Sequence, residues 1–251
     1  MSPPNDKFPE TRQSAIGGVA SGDPAERARA FDTLVRAYWR PVYAHVRLKW
    51  RREPEDARDA TQGFFTRAFE KGQLGGYDPT RARFRTYLKG SLDHYVMELS
   101  RDAARHKRGG GALAMSLDFD VAEDDLVRSG AVTDPHAADG CFDHEWTRSL
   151  FASAVAALEA SCDKQGKRAY FEVFRAYVLE PELGTGGADV DVSRPSYAEV
   201  ARRCDISVSD VTNYLSWSRR ELRTCILAQL REITATEEEY RDEARALGVR
   251  P

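Results

Sequence analysis

The sequence predicts an all-α protein: two helical domains joined by an acidic, flexible linker. Apolar residues recur at three- and four-residue spacing over long stretches, alternating Val/Ile runs are nearly absent, and capping signals stand ahead of several periodic stretches. The 251 residues suffice for one large domain or two small ones, and 41% apolar with 31% charged residues is a globular composition. No run approaches eighteen apolar residues, so no membrane span is expected. The N-terminus lacks a charged-then-apolar signal pattern. Cys141, Cys162, Cys204 and Cys225 form no C-x-x-C pair, which points to reduced thiols in a cytoplasmic protein without a structural zinc site.

Residues 1–23 form an N-terminal segment ahead of the first helical block, 24–108. Within that block stands "DARDATQGFF", residues 56–65. Asp56 and Asp59 are one helical turn apart and flank Arg58, ahead of Thr61, Gln62 and Phe65. Two arrangements fit this helix. The acids face a basic partner with Thr61 beside them, or Ala57, Thr61, Phe64 and Ala68 form a packed face.

The next periodic stretch runs from Arg83 to Arg108. Phe84, Leu88, Leu92, Tyr95, Leu99 and Ala103 fall on one side of a helical wheel, with Arg83, Tyr87, His94, Arg101, Arg105 and Arg108 on another. Between Arg81 and Arg108 eight basic residues, Lys89 among them, face three acids. A basic stripe with interleaved rings suits nucleic acid, because arginines neutralise phosphates and rings stack on bases. The linker, residues 109–143, opens on three glycines. From Leu117 to Glu145 nine acidic residues stand against the single Arg128.

The second block covers residues 144–231, interrupted by a Gly- and Asp-rich loop between Pro181 and Pro195. Ser196 caps a helix over 197–203 with Val200, Ala201 and Cys204 inward. Asp205-Ile206 makes a turn, and Ser207 caps a second helix with Val208, Val211, Leu215, Leu222 and Ile226 inward. Ser209, Asn213, Ser216, Trp217 and Arg220 lie opposite, with Asp210 at the edge. This is the layout of a helix-turn-helix whose second helix enters the major groove. The tail, 232–251, begins with Thr236 and Glu239 in capping-box spacing. The five histidines form no metal-binding pattern. Gly184-Thr185-Gly186-Gly187 lacks the lysine of a phosphate loop, so no catalytic residue, enzyme activity or cofactor is expected.

Together these stretches resemble a bacterial RNA polymerase sigma factor of the extracytoplasmic-function type, over nearly the whole chain. "RAYWRPVYAHVR" with "EDARDATQGFFTRAFEKG" resembles the part of the second sigma region that docks on the β′ clamp helices. "GGYDPTRARFRTYLKGSLDHYVMELSRDAARHKRGG" resembles the part that melts and reads the −10 element, and "SYAEVARRCDISVSDVTNYLSWSRRELRTCI" the fourth region, which reads the −35 element. The resemblance implies core-polymerase contacts at Asp56, Asp59, Thr61, Gln62 and Phe65, with the β flap as further partner. It implies −10 contacts at Arg81, Arg83, Tyr87, Lys89, His94, Arg101 and Arg105, and −35 contacts at Ser209, Asp210, Thr212, Asn213, Ser216, Trp217 and Arg220. The linker resembles the segment that threads into the polymerase channel.

Two departures stand out. Arg58 replaces a glutamate usual in the acidic motif, and Thr212-Asn213 stand where a basic pair is common. The subgroup resembled is often linked to Ser/Thr protein kinases, which makes Thr61 a phosphorylation candidate. A phosphate there, at −1.5 to −2 charges, would restore what Arg58 removes. The alternative function is a free-standing helix-turn-helix regulator that binds promoter DNA without polymerase.

Overall fold

The computed structural model describes residues 14–103, 117–134, 136–180 and 194–250, and every regular element among them is helical. A single turn, α1 (Ala15–Gly18), is capped by Ser14. Helix α2 (Pro24–Leu48) starts with Asp23 as N-cap and Pro24 at the first position, where the missing N–H costs nothing. Helix α3 (Pro54–Glu70) also opens on a proline. Then follow α4 (Phe84–Ala103), α5 (Phe119–Arg128), α6 (Cys141–Lys164) and α7 (Arg168–Phe174), which runs into a π turn over Arg175–Leu179. Helices α8 (Tyr197–Cys204), α9 (Val208–Glu232) and α10 (Glu237–Ala246) complete the chain. No helix among the described residues is long and apolar enough to cross a membrane.

Two hydrophobic cores organise these helices. The first gathers Leu34, Tyr38, Val42 and Tyr43 of α2, Phe64 and Phe65 of α3, and Phe84, Leu88 and Leu92 of α4. The second gathers Leu158 and Cys162 of α6, Phe171 and Phe174 of α7, Val200 of α8, and Val211 and Leu215 of α9. Burying each such side chain contributes about 1.5–3 kcal/mol, so the cores dictate how every helix is rotated. Two helices belong to both. Phe142, Trp146 and Leu150 of α6 sit in the first core and Ala154, Leu158 and Cys162 in the second. In α9, Val211 through Leu222 pack in the second core and Leu230 in the first.

Three expectations are corrected by this packing. The flexible linker carries a packed helix: α5 buries Phe119, Ala122 and Leu126, an i, i+3, i+7 stripe, against α2. The Phe119 ring stands edge-on to Trp39 at 5.4 Å and 5.3 Å from Tyr43. Ten residues do not hold a helix in water alone, but an N-cap at Asp118 and an apolar surface to pack on suffice. Second, the second block, expected to begin at 144, is entered by a helix that begins at Cys141, because Phe142 is drawn into the first core. Third, the buried stripe of α4 ends with Tyr95 and Val96, leaving Leu99 37% exposed. The tail holds α10, and Tyr240 and Ala244 bury it in the first core. Residues 1–13, 104–116 and 181–193 lie outside the described residues, and with them Arg105, Arg108 and most of the Gly-rich loop.

Candidate nucleic-acid interface

Local chemistry builds the helix-turn-helix. The Ser196 hydroxyl accepts the Glu199 N–H at 3.3 Å, while the Glu199 carboxylate accepts the Ser196 N–H at 2.6 Å. This capping box starts α8. Asp205 takes the left-handed conformation with φ 52°, which ends α8 and lets the Ile206 N–H return to the Ala201 carbonyl at 3.0 Å. A second box then starts α9. The Ser207 hydroxyl accepts from Asp210 N–H at 3.1 Å, and the Asp210 carboxylate takes the Ser207 N–H at 3.2 Å and its hydroxyl at 2.6 Å. The carboxylate of Asp210 is therefore committed to the helix start.

Val211, Leu215 and Leu222 turn inward, and Ser218 between them is also buried, its hydroxyl donating to the Tyr170 carbonyl at 3.2 Å. That rotation leaves Ser209, Thr212, Asn213, Ser216, Arg219, Arg220 and Arg223 exposed within roughly a third of the helix circumference. Arg219 was missed in the sequence, although it stands beside Arg220. Among the described residues Arg220 and Arg223 form no ion pair, so both charges are available to phosphates. Two placements differ from expectation. Val208 is 49% exposed, because the first turn of α9 projects past the core. Trp217 is half-buried: its ring meets Tyr170 edge-on at 5.3 Å and lies 4.1 Å from the Lys167 ammonium, so it packs on α7 instead of facing outward.

The basic residues at and ahead of α4 are exposed or half-buried, and largely paired with acids of the same chain. Arg83 meets Asp242 at 3.3 Å and Glu243 at 3.8 Å. Arg85 meets Glu243 at 2.9 Å and Asp143 at 2.8 Å, its guanidinium lying 4.2 Å from the Trp146 ring centre. Lys89 reaches Asp143 at 3.9 Å, and His94 reaches Glu98 at 3.1 Å. Tyr87 is half-buried, its ring 5.4 Å from Tyr77. Arg81 and Arg101 are exposed and form no ion pair among the described residues.

The acids of α5 are taken up in the same way. Glu123 receives Arg47 at 2.6 Å and the Tyr43 hydroxyl at 2.6 Å. Asp125 receives Arg40 at 2.5 Å and Arg148 at 2.9 Å. Partial burial alone would raise both carboxyls, yet the hydrogen bonds from these partners hold each below the usual carboxylate range. Arg58 of α3 pairs with Asp120 of α5 and lies 3.5 Å from Glu55.

On α3, Asp56 and Asp59 are exposed and Gln62 half-exposed, as a docking surface requires. Thr61 and Phe65 are not part of that surface. Thr61 is 0% exposed, its hydroxyl donating to the Ala57 carbonyl at 2.7 Å, and Phe65 is 1% exposed in the first core. The packed arrangement of the helix therefore holds. No hydroxyl at Thr61 is presented to a kinase in this conformation, and no side chain at Phe65 to a partner. Among the described residues, no group of three or more His, Cys, Asp or Glu is placed to hold a metal ion. Comparison with protein-family profiles, with curated proteins and with solved structures finds no match.

Proposed function

We propose that this chain is a promoter-recognising initiation factor of the sigma type, acting with core RNA polymerase in the cytoplasm. In this reading α9 reads duplex DNA in the major groove. The α4 side offers basic and aromatic residues to a melted strand, and Asp56, Asp59 and Gln62 of α3 dock on the polymerase. The observation that carries the reading is the outer face of α9. Ser209, Thr212, Asn213 and Ser216 supply hydrogen-bonding groups small enough for base edges. Arg220 and Arg223 flank them with charges unpaired among the described residues. Asn213, near the N-terminal end of the helix, suits adenine in a bidentate pair.

The test is run-off transcription with core polymerase, together with duplex binding at two salt concentrations. Arg220→Ala is expected to weaken all duplexes alike and to reduce the salt slope by about one. Asn213→Ala is expected to relax preference at one base pair by about 1–3 kcal/mol. Asp56→Ala with Asp59→Ala is expected to lower retention of core polymerase, with the difference from the parent largest at low salt and shrinking as salt screens the contact. Failure to retain core polymerase, with duplex binding intact, leaves the second reading, a free-standing helix-turn-helix regulator. The internal pairing of the α4 stripe favours that alternative, since it leaves α9 as the more open basic face.

A further inference from the structure

The end of α4 that faces α10 is built as an anion site, and a carboxylate fills it. The first helical N–H, that of Phe84, donates to Glu239 Oε1 at 2.7 Å. Arg83 and Arg85 flank that N–H, and both reach Glu243, with Asp242 on Arg83. A helix N-terminus between arginines is what a phosphodiester takes. Here the three positions are held by Glu239, Asp242 and Glu243, which share one face of α10 at i, i+3 and i+4. The reciprocal half of the expected capping box explains how. Thr236 still accepts the Glu239 N–H at 3.1 Å, but the Glu239 carboxylate turns away from Thr236 to the N–H groups of Phe84 and Ala235. The other acids of α10 do not share this role: Glu237 pairs with Arg231 and Arg241, and Glu238 is exposed. Tyr240 and Ala244 seat the helix from below.

We propose that α10 is a built-in competitor for the α4 site, its three carboxylates standing where the phosphates of a single-stranded nucleic acid bind, so that α10 leaves when the strand arrives. The inference rests on the assignment of α4 to nucleic-acid contact. It explains why a basic, ring-bearing helix is neutralised by acids more than 150 residues away. Docked α10 keeps the α4 site closed until a strand, or polymerase-bound promoter DNA, displaces it.

The test uses the full-length chain and a short fluorescein-labelled single-stranded oligodeoxynucleotide, read by anisotropy. Asp242→Asn combined with Glu243→Gln keeps side-chain size and removes the competing charges. It is expected to bind the strand about tenfold more tightly than the parent chain, the size that two partly screened charge pairs give. Glu237→Gln is expected to leave strand affinity unchanged. A second measurement needs no variant: amide hydrogens of residues 237–246 in the parent chain are expected to lose exchange protection when the strand is added. Equal affinity of the parent and double variant, with Arg83→Ala weakening both, overturns the competitor role and leaves α4 as a binding face. Absence of strand binding in every variant, with duplex binding through α9 retained, overturns the α4 assignment and the competitor with it. Unchanged protection of α10 in a strand-bound chain also overturns the proposal.

Discussion

Replacing Thr61 by glutamate, the customary imitation of a phosphate, is expected to unfold this protein instead of strengthening its acidic surface. Thr61 is fully buried, one turn from Ala57 and Phe64 on the packed face of α3. Three costs add. Glutamate is larger, and overpacking a filled core costs about 1–3 kcal/mol. Burial favours the neutral carboxyl, and holding a group of pKa about 4.3 protonated at pH 7 costs about 3–4 kcal/mol. The hydroxyl bond to Ala57 is lost for about 0.5–1 kcal/mol more. The sum, about 4–8 kcal/mol, compares with a total stability of about 5–15 kcal/mol for a domain. Urea denaturation followed by circular dichroism reads the loss directly. Thr61→Val, which keeps the shape, is expected to change stability by under about 1 kcal/mol. The electrostatic part has a sign of its own: the carboxyl's pKa is raised on folding, so the deficit grows with pH above about 4.3 and shrinks by about 2–3 kcal/mol between pH 7 and pH 5. A Thr61→Glu chain within about 1 kcal/mol of the parent at pH 7 refutes the burial of this face. So does phosphate incorporation at Thr61 in the folded protein exposed to an active Ser/Thr kinase.

Gly63, in the same stretch, sits under the Tyr95 hydroxyl, and a Cβ there would lie 2.3 Å from that oxygen. Gly63→Ala is expected to cost about 1–2 kcal/mol net, the gain in helix propensity offsetting part of the clash, and Tyr95→Phe in the same chain is expected to restore most of it; denaturation midpoints of the two single variants and the double decide. His45 is 3% exposed, with Nε2 2.8 Å from Asp93. Burial lowers its pKa despite Asp93, with Lys49 and Lys89 adding to the shift. The unfolded chain therefore takes up this proton first as pH falls below about 6.5, and stability is expected to drop at up to about 1.4 kcal/mol per pH unit. Comparison of the parent with His45→Gln between pH 7.5 and 5.5 isolates this residue, and identical slopes would count against the assignment.

The parts legible in the sequence are those whose cause is local. Ser196 with Glu199 and Ser207 with Asp210 are each a complete capping box within four residues, so both helices of the helix-turn-helix and the turn between them could be read directly. The exposed face of α9 followed from Val211, Leu215 and Leu222, with errors only at its margins. Val208 belongs to a first turn that overhangs the core, and Trp217 lies at the edge of the face, where α7 decides its direction. What could not be read is what α5 and α10 do. Their acids look like a solvated linker and tail, because most of their partners, on α2, α3 and at the start of α4, lie 62 to 159 residues away. A signal for α5 was present in Phe119, Ala122 and Leu126 behind Asp118, but it was outweighed by the run of charges around it. The α3 stretch was ambiguous for another reason. The acidic edge and the packed face of one helix are both real, and only the position of α2 shows to which of them Thr61 belongs.

The two long helices shared between the cores bear on how this protein could be divided. In a chain of separate modules, the half built on the second core could be exchanged by cutting an irregular connector. Here every such cut falls inside regular helix: in α6 between Leu150 and Ala154, and in α9 between Leu222 and Leu230. A chimera joined at either place must therefore keep helical phase, since one inserted residue rotates everything beyond it by about 100° and turns one core's apolar stripe toward water. The same constraint applies to insertions during descent. Lengthening is tolerated in the connections, whereas α6 and α9 accept only changes that preserve their register.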